Sequence, residues 1–159
     1  MSVNVGDKAP DFTLFNQDAE KVSLDDYKGK RIVLLFFPFA NTGVCTKEMC
    51  TFRDELKAYE DLDAQVLGIS VDSHFALKMW QEKNKTNFPL LSDFNKEVAK
   101  SYGVLYDGFA GGKYGYLGVA KRSAFVVDKD ETIKYAESHE NAGEEPSYEN
   151  IKSALEKLD

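Results

Sequence analysis

The apolar residues of this chain change period at one point. Ile32-Val33-Leu34-Leu35-Phe36-Phe37 is a continuous apolar run rich in β-branched and aromatic residues, the pattern of a strand buried on both faces. Beyond Pro38 the period becomes helical: Met49, Phe52, Leu56 and Tyr59 recur at steps of three and four, with Lys47, Arg53, Asp54, Glu55 and Lys57 filling the other positions. Residues 12–24 alternate loosely around Asn16-Gln17-Asp18, which predicts an N-terminal β-hairpin ahead of a turn at 25–30. Downstream, residues 64–71 read as a second buried strand, and Asp72-Ser73 offer caps for a helix carrying Leu77 and Trp80. A short strand over 88–91 and a short helix over 96–102, stopped by Gly103, follow. Residues 124–127 and 132–136 flank Asp128-Lys129-Asp130-Glu131 as an antiparallel hairpin, and Pro146 precedes a final helix over 147–158 with Ile151, Leu155 and Leu158 on one stripe. Strands alternating with helices imply parallel pairing through crossovers, and the hairpins make the sheet mixed, so the expectation is an α/β fold with helices on both faces.

Residues 103–121 fit neither period. They hold six glycines and four aromatic residues, and a connection that long is usually functional or mobile. A phosphate-binding reading fails on its details, because Gly112-Lys113 is followed by Tyr114 and no Gly-x-Gly-x-x-Gly occurs.

Composition narrows the picture further. A chain of 159 residues that is 43% hydrophobic fills one core, so a single domain over residues 1–159 is expected. Its longest apolar run is nine residues interrupted by Pro38, short of a membrane span, so no membrane partner is expected. Net charge is −7, with 17 scattered Lys and only three Arg, which argues against nucleic acid. Met1-Ser2-Val3-Asn4-Val5 lacks the features of a secretory leader, and two cysteines do not make a disulfide scaffold, so the expected setting is a reducing cytoplasm.

Those cysteines, Cys45 and Cys50, lie in and just after the strand-to-helix turn Pro38-Phe39-Ala40-Asn41-Thr42-Gly43-Val44-Cys45. Unpaired N–H groups and the positive end of the macrodipole favour an anion in the first helical turn, and a thiolate is such an anion. Helix N-termini and nearby cations lower a cysteine pKa from about 8.5 to about 3.5–7.5, which makes a nucleophile of it. Thr42 is placed to hydrogen-bond that sulfur or to cap the helix. With so few arginines, each of Arg31, Arg53 and Arg122 is a candidate for the cation beside Cys45, against the simpler reading of an exposed surface charge. No metal site or cofactor is expected, since two cysteines and the separated His74 and His139 do not make a ligand set.

Taken together, Pro38-x-x-x-Thr42-x-x-Cys45, Glu48, Cys50 and Arg122 resemble the peroxiredoxins. The similarity runs from Gly6-Asp7-Lys8-Ala9-Pro10-Asp11-Phe12 to Arg122-Ser123-Ala124-Phe125-Val126-Val127-Asp128. A second cysteine five residues after the first resembles the bacterioferritin-comigratory-protein, or Q-type, subgroup. The resemblance implies a thioredoxin-like fold and a peroxidase with peroxidatic Cys45. It implies that Thr42 aligns the peroxide, Pro38 shields the sulfur, Arg122 stabilises charge and Glu48 orients Arg122. It also implies that Cys50 resolves the sulfenic acid as a disulfide, recycled by a thioredoxin-like dithiol, in a monomer or homodimer, with Phe39 and the aromatic residues from Tyr106 to Tyr116 as candidates to border the Cys45 pocket or a dimer contact.

Helix geometry makes a demand of that pairing. Residues five apart in an α-helix have Cα atoms about 8.7 Å apart and point about 140° from each other, whereas a disulfide needs about 7 Å or less. The first turns must therefore unwind during turnover. Cys50 lies off the Met49-Phe52-Leu56 stripe, so unwinding is expected to spare the main core contacts. Three other readings stay open: an external thiol resolves Cys45, the chain is a thiol–disulfide oxidoreductase on the same scaffold, or it is a binding domain with an inert Cys45.

Overall fold

The computed structural model describes residues 3–158. Chain order runs β1 (Thr13–Asn16), β2 (Lys21–Ser23), β3 (Arg31–Phe36), α1 (Gly43–Asp54), α2 (Leu56–Asp61), β4 (Ala64–Ser70), α3 (His74–Asn84), β5 (Leu90–Ser92), α4 (Glu97–Ser101), β6 (Arg122–Val127), β7 (Ile133–His139) and α5 (Tyr148–Glu156). The strands form one mixed sheet in the order β2-β1-β5-β4-β3-β6-β7.

Every residue of β3 is buried, as its continuous apolar run requires. Alternation of side chains divides that run between two cores. Ile32, Leu34 and Phe36 pack with Tyr102 and Phe125 on the face covered by α4. Val33, Leu35 and Phe37 pack with Met49, Phe52, Trp80 and Ile151 on the face covered by α1, α2, α3 and α5.

Strand direction positions the site. β3 pairs parallel with β4 and antiparallel with β6, where Phe36 opposes Ser123. The reversed direction of β6 brings its first residue, Arg122, to the end of β3 from which α1 departs. β7 pairs antiparallel with β6, and Arg122 opposes His139.

Several elements differ in extent from the sequence expectation, β6 starting earlier at Arg122 and β7 running on to His139. The apolar stripe from Met49 to Tyr59 is broken at Glu55 (φ −103°, ψ 11°) into α1 and α2, and the bend brings Phe52 and Tyr59 to a 5.0 Å ring contact. The strand expected over 88–91 begins at Leu90, because Pro89 has no N–H to give a ladder. The N-terminal hairpin forms as expected and joins the main sheet, with β1 pairing antiparallel to both β2 and β5. The 103–121 segment is closed at its base by paired backbone, Tyr106 N–H donating to Val119 O and Lys121 N–H to Val104 O.

Candidate active site

The turn between β3 and α1 is set by backbone hydrogen bonds. Phe37 N–H donates to Ile69 O at 3.0 Å, and Ala40 N–H donates to the Asp72 carboxylate at 2.7 Å. Asn41 follows in the left-handed region (φ 64°), which asparagine tolerates better than most residues. Thr42 then takes the N-cap backbone position, with Thr46 N–H donating to its carbonyl. Its side chain takes neither role the sequence allowed it, capping the helix or bonding the Cys45 sulfur. The hydroxyl instead donates to Phe39 O at 2.8 Å.

Cys45 lies in the first turn of α1 and is 1% exposed. It opens into a pocket of about 290 Å³ lined in part by Pro38, Thr42, Phe109, Arg122 and Ala142. The sequence-predicted residues thus converge, with Cys50 set apart. Arg122 Nη2 donates to Cys45 Sγ at 3.1 Å, while Nη1 donates to Glu48 Oε1 at 2.6 Å. Nε and Nη2 also both donate to the Ala142 carbonyl, at 3.0 and 2.8 Å. The planar guanidinium is therefore held on three sides, a geometry that a single ammonium cannot reproduce.

Glu48 is fully buried one helical turn from Cys45, and its Oε2 has no hydrogen-bond partner among the described residues. Burial pushes its carboxyl up to about 7, outweighing the opposing pull of Arg122, and the charges of Glu137 and Glu145 add to the rise. The other two arginines lie elsewhere. Arg31 faces Asp128 and the Leu62 carbonyl, and Arg53 pairs with Asp54 and donates to the Asn84 carbonyl.

Cys50 is half-buried, and its thiol donates to Asn84 Oδ1 at 3.9 Å. Asn84 Nδ2 in turn donates to Trp80 O, and Trp80 Nε1 donates to Thr46 Oγ1 at 3.1 Å. Releasing Cys50 therefore breaks a side-chain contact between α1 and α3, which the helical stripe alone did not reveal. Both cysteines are free thiols.

One contributor was not singled out from the sequence. The Ala142 acceptor is a backbone carbonyl, which leaves no signature in residue type. Phe109, in the aromatic stretch from Tyr106 to Tyr116, reaches the pocket while packing edge-on against Phe39, with ring centroids 5.4 Å apart.

Known proteins share this arrangement of sequence and fold. Residues 5–136 match the AhpC/TSA family. A putative peroxiredoxin bcp of Coxiella burnetii is 43% identical over 133 residues, which are 84% of this chain and 87% of that protein. Alkyl hydroperoxide reductase E of Mycobacterium tuberculosis is 41% identical over 138 residues, 85% of each. Among solved structures, peroxidoxin BcpB of Mycobacterium tuberculosis superposes with a TM-score of 0.84 at 31% identity, covering 98% of this chain and 97% of that one. A cysteine-to-serine mutant of PrxQ from Xylella fastidiosa gives a TM-score of 0.86 at 25% identity over 98% and 97% of the two chains. With a mixed thioredoxin-like sheet and a family match that includes the strand-to-helix turn, the chain belongs to the AhpC/TSA family as a Q-type peroxiredoxin, a thiol-dependent peroxidase.

Proposed function

We propose that Cys45 is the peroxidatic residue and that the enzyme reduces hydrogen peroxide and organic hydroperoxides through a Cys45–Cys50 disulfide. The observation that carries this reading is the 3.1 Å contact of Arg122 with Cys45 Sγ at the start of a helix. In the first step the Cys45 thiolate attacks the terminal oxygen of the hydroperoxide. An S–O bond forms, the O–O bond breaks, and the leaving oxygen takes a proton to depart as water or an alcohol. Arg122 supplies positive charge where the leaving oxygen becomes negative, Thr42 orients the peroxide, and Pro38 limits access of bulk water. Glu48 acts through Arg122 by fixing one edge of the guanidinium.

The resulting Cys45 sulfenic acid must meet a thiol or be oxidised further. Cys50 attacks it, forming the S–S bond and expelling the sulfenic oxygen as water, once the turns between them unwind. A thioredoxin-like dithiol then returns both residues to thiols, which fits a reducing cytoplasm. Among the described residues no helix is long and apolar enough to cross a membrane.

Intact mass of the reduced protein after one equivalent of hydrogen peroxide, followed by peptide mapping, tests the reading. A loss of two hydrogens mapped to Cys45–Cys50 is expected in the wild type, and Cys50→Ser should stop at a sulfenic acid on Cys45. Peroxidase turnover retained in Cys45→Ser would overturn the assignment. A Cys45 sulfenic acid that persists in the wild type until an external thiol arrives would remove Cys50 from the cycle.

A further inference from the structure

The loop after β7 carries the Ala142 carbonyl that accepts two of the Arg122 hydrogen bonds, and one side chain ties that loop down. His139, the last residue of β7, places Nδ1 2.9 Å from Glu144 Oε2 and Nε2 within hydrogen-bond distance of Glu137 Oε2. Glu137 also accepts from Ser147 N–H, the N-cap of α5, at 3.1 and 3.0 Å. The imidazole thus joins β7, the middle of the loop and, through Glu137, the loop's far end. Asn141 tightens the same stretch by accepting from Gly143 N–H. All three members of this clasp lie beyond residue 136, where the family match ends.

We propose that protonated His139 is a positioning residue for the peroxide reaction, clasping Glu137 and Glu144 so that the Ala142 carbonyl holds Arg122 against Cys45. The argument rests on the proton count of the ring. An imidazolium donates from both nitrogens and satisfies both carboxylates, whereas a neutral imidazole has one N–H and can donate to only one of them. Deprotonation therefore opens one side of the clasp. Burial lowers the His139 pKa, and the two carboxylates outweigh burial and raise it above its ordinary 6.5.

The surroundings of the ring are otherwise balanced. Arg122 stands opposite on β6. Lys121 is paired with Glu140. Lys47 of α1 is paired with Glu145, which also accepts from Tyr148 of α5. The Tyr135 hydroxyl donates to Glu137, and the Tyr106 hydroxyl donates to the His139 carbonyl. None of these pairings supplies the second donor that a neutral His139 loses.

This inference depends on Cys45 being the peroxidatic residue, and the test separates the two. The second-order rate of Cys45 oxidation by hydrogen peroxide is measured from about pH 6 to about pH 9 for wild type and His139→Gln, with products mapped by mass. The readout is the ratio of the two rates at each pH. The variant should be about tenfold slower at the acid end, where Arg122 is otherwise fixed, and should approach the wild type as His139 loses its proton. Glu144→Ala, which removes one acceptor of the clasp from a side chain that is 59% exposed, should lose the same acid-side advantage and stands in if His139→Gln does not fold. Cys45 oxidation in all proteins with a ratio independent of pH, as a purely structural role predicts, overturns the clasp alone. Absence of Cys45 oxidation in the wild type overturns the peroxidatic reading and the clasp with it.

Discussion

Arg122 Nη2 lies 3.1 Å from Cys45 Sγ across 77 residues of sequence, so the cation beside the thiol is delivered by the antiparallel pairing of β6 with β3. Because the same guanidinium also binds Glu48 and the Ala142 carbonyl, its position is set from three directions.

Arg122→Lys keeps the charge and loses the fork. The expected outcome is a fall of about 100-fold in the rate of Cys45 oxidation, the size of effect seen when one donor to a developing oxyanion is removed. Stopped-flow fluorescence of Trp80, whose ring N–H bonds to Thr46 beside Cys45, is the direct readout. A rate within a few-fold of wild type would show that charge alone suffices.

The Cys50–Asn84 contact predicts that the resolving step is gated by the junction of α1 and α3. Asn84→Ala removes the acceptor of the Cys50 thiol and the side-chain bond to Trp80 O. A lost hydrogen bond of about 1 kcal/mol should make local opening, and hence disulfide formation, about fivefold faster, with the peroxide step unchanged. Quenched-flow alkylation after a peroxide pulse measures it, and an unchanged rate of disulfide formation would mean that the contact does not limit opening.

Glu48 fixes the sign of a pH effect on stability. Its carboxyl is raised from 4.5 to about 7 in the folded protein, chiefly by burial. Between those values the folded state binds more protons than the unfolded chain. The associated stability is complete below about pH 4.5 and is lost as pH rises through 7, an effect on the order of 3 kcal/mol. Urea unfolding of wild type and Glu48→Gln at intervals from pH 4 to pH 8 checks this, and the variant should lack that part of the slope.

Gly68 tests the packing beneath α1. A Cβ at this position of β4 would sit 3.0 Å from Leu90 Cδ2, 3.3 Å from Phe37 Cε1 and 3.4 Å from Met49 Sδ. Gly68→Ala should cost about 1–3 kcal/mol by overpacking, read as a lower urea midpoint. The slope of the transition should not change.

Much of this architecture was legible along the chain because hydrophobic period is a local property. The continuous run in β3 and the change of period after Pro38 placed Cys45 in the first turn of a helix, where the structure has it. Pro38, Thr42, Glu48 and Arg122 were recognisable through their resemblance to a known motif, and all four lie around that turn or in contact with Arg122. The break at Glu55 was not legible, because the apolar stripe continues across it and only the packing of Phe52 on Tyr59 demands a bend.

What the sequence by itself determined is the set of elements and the candidate nucleophile, both of which depend on neighbours within about one helical turn or one strand. Tertiary structure alone decided that the Ala142 carbonyl completes the cradle, that Cys50 is held by Asn84, and that His139 bridges two carboxylates. Each of these is a contact between distant segments, fixed by strand direction and helix packing. Backbone carbonyls and the partners of a long side chain are invisible to periodicity, since they depend on where the chain returns and not on what stands next to it.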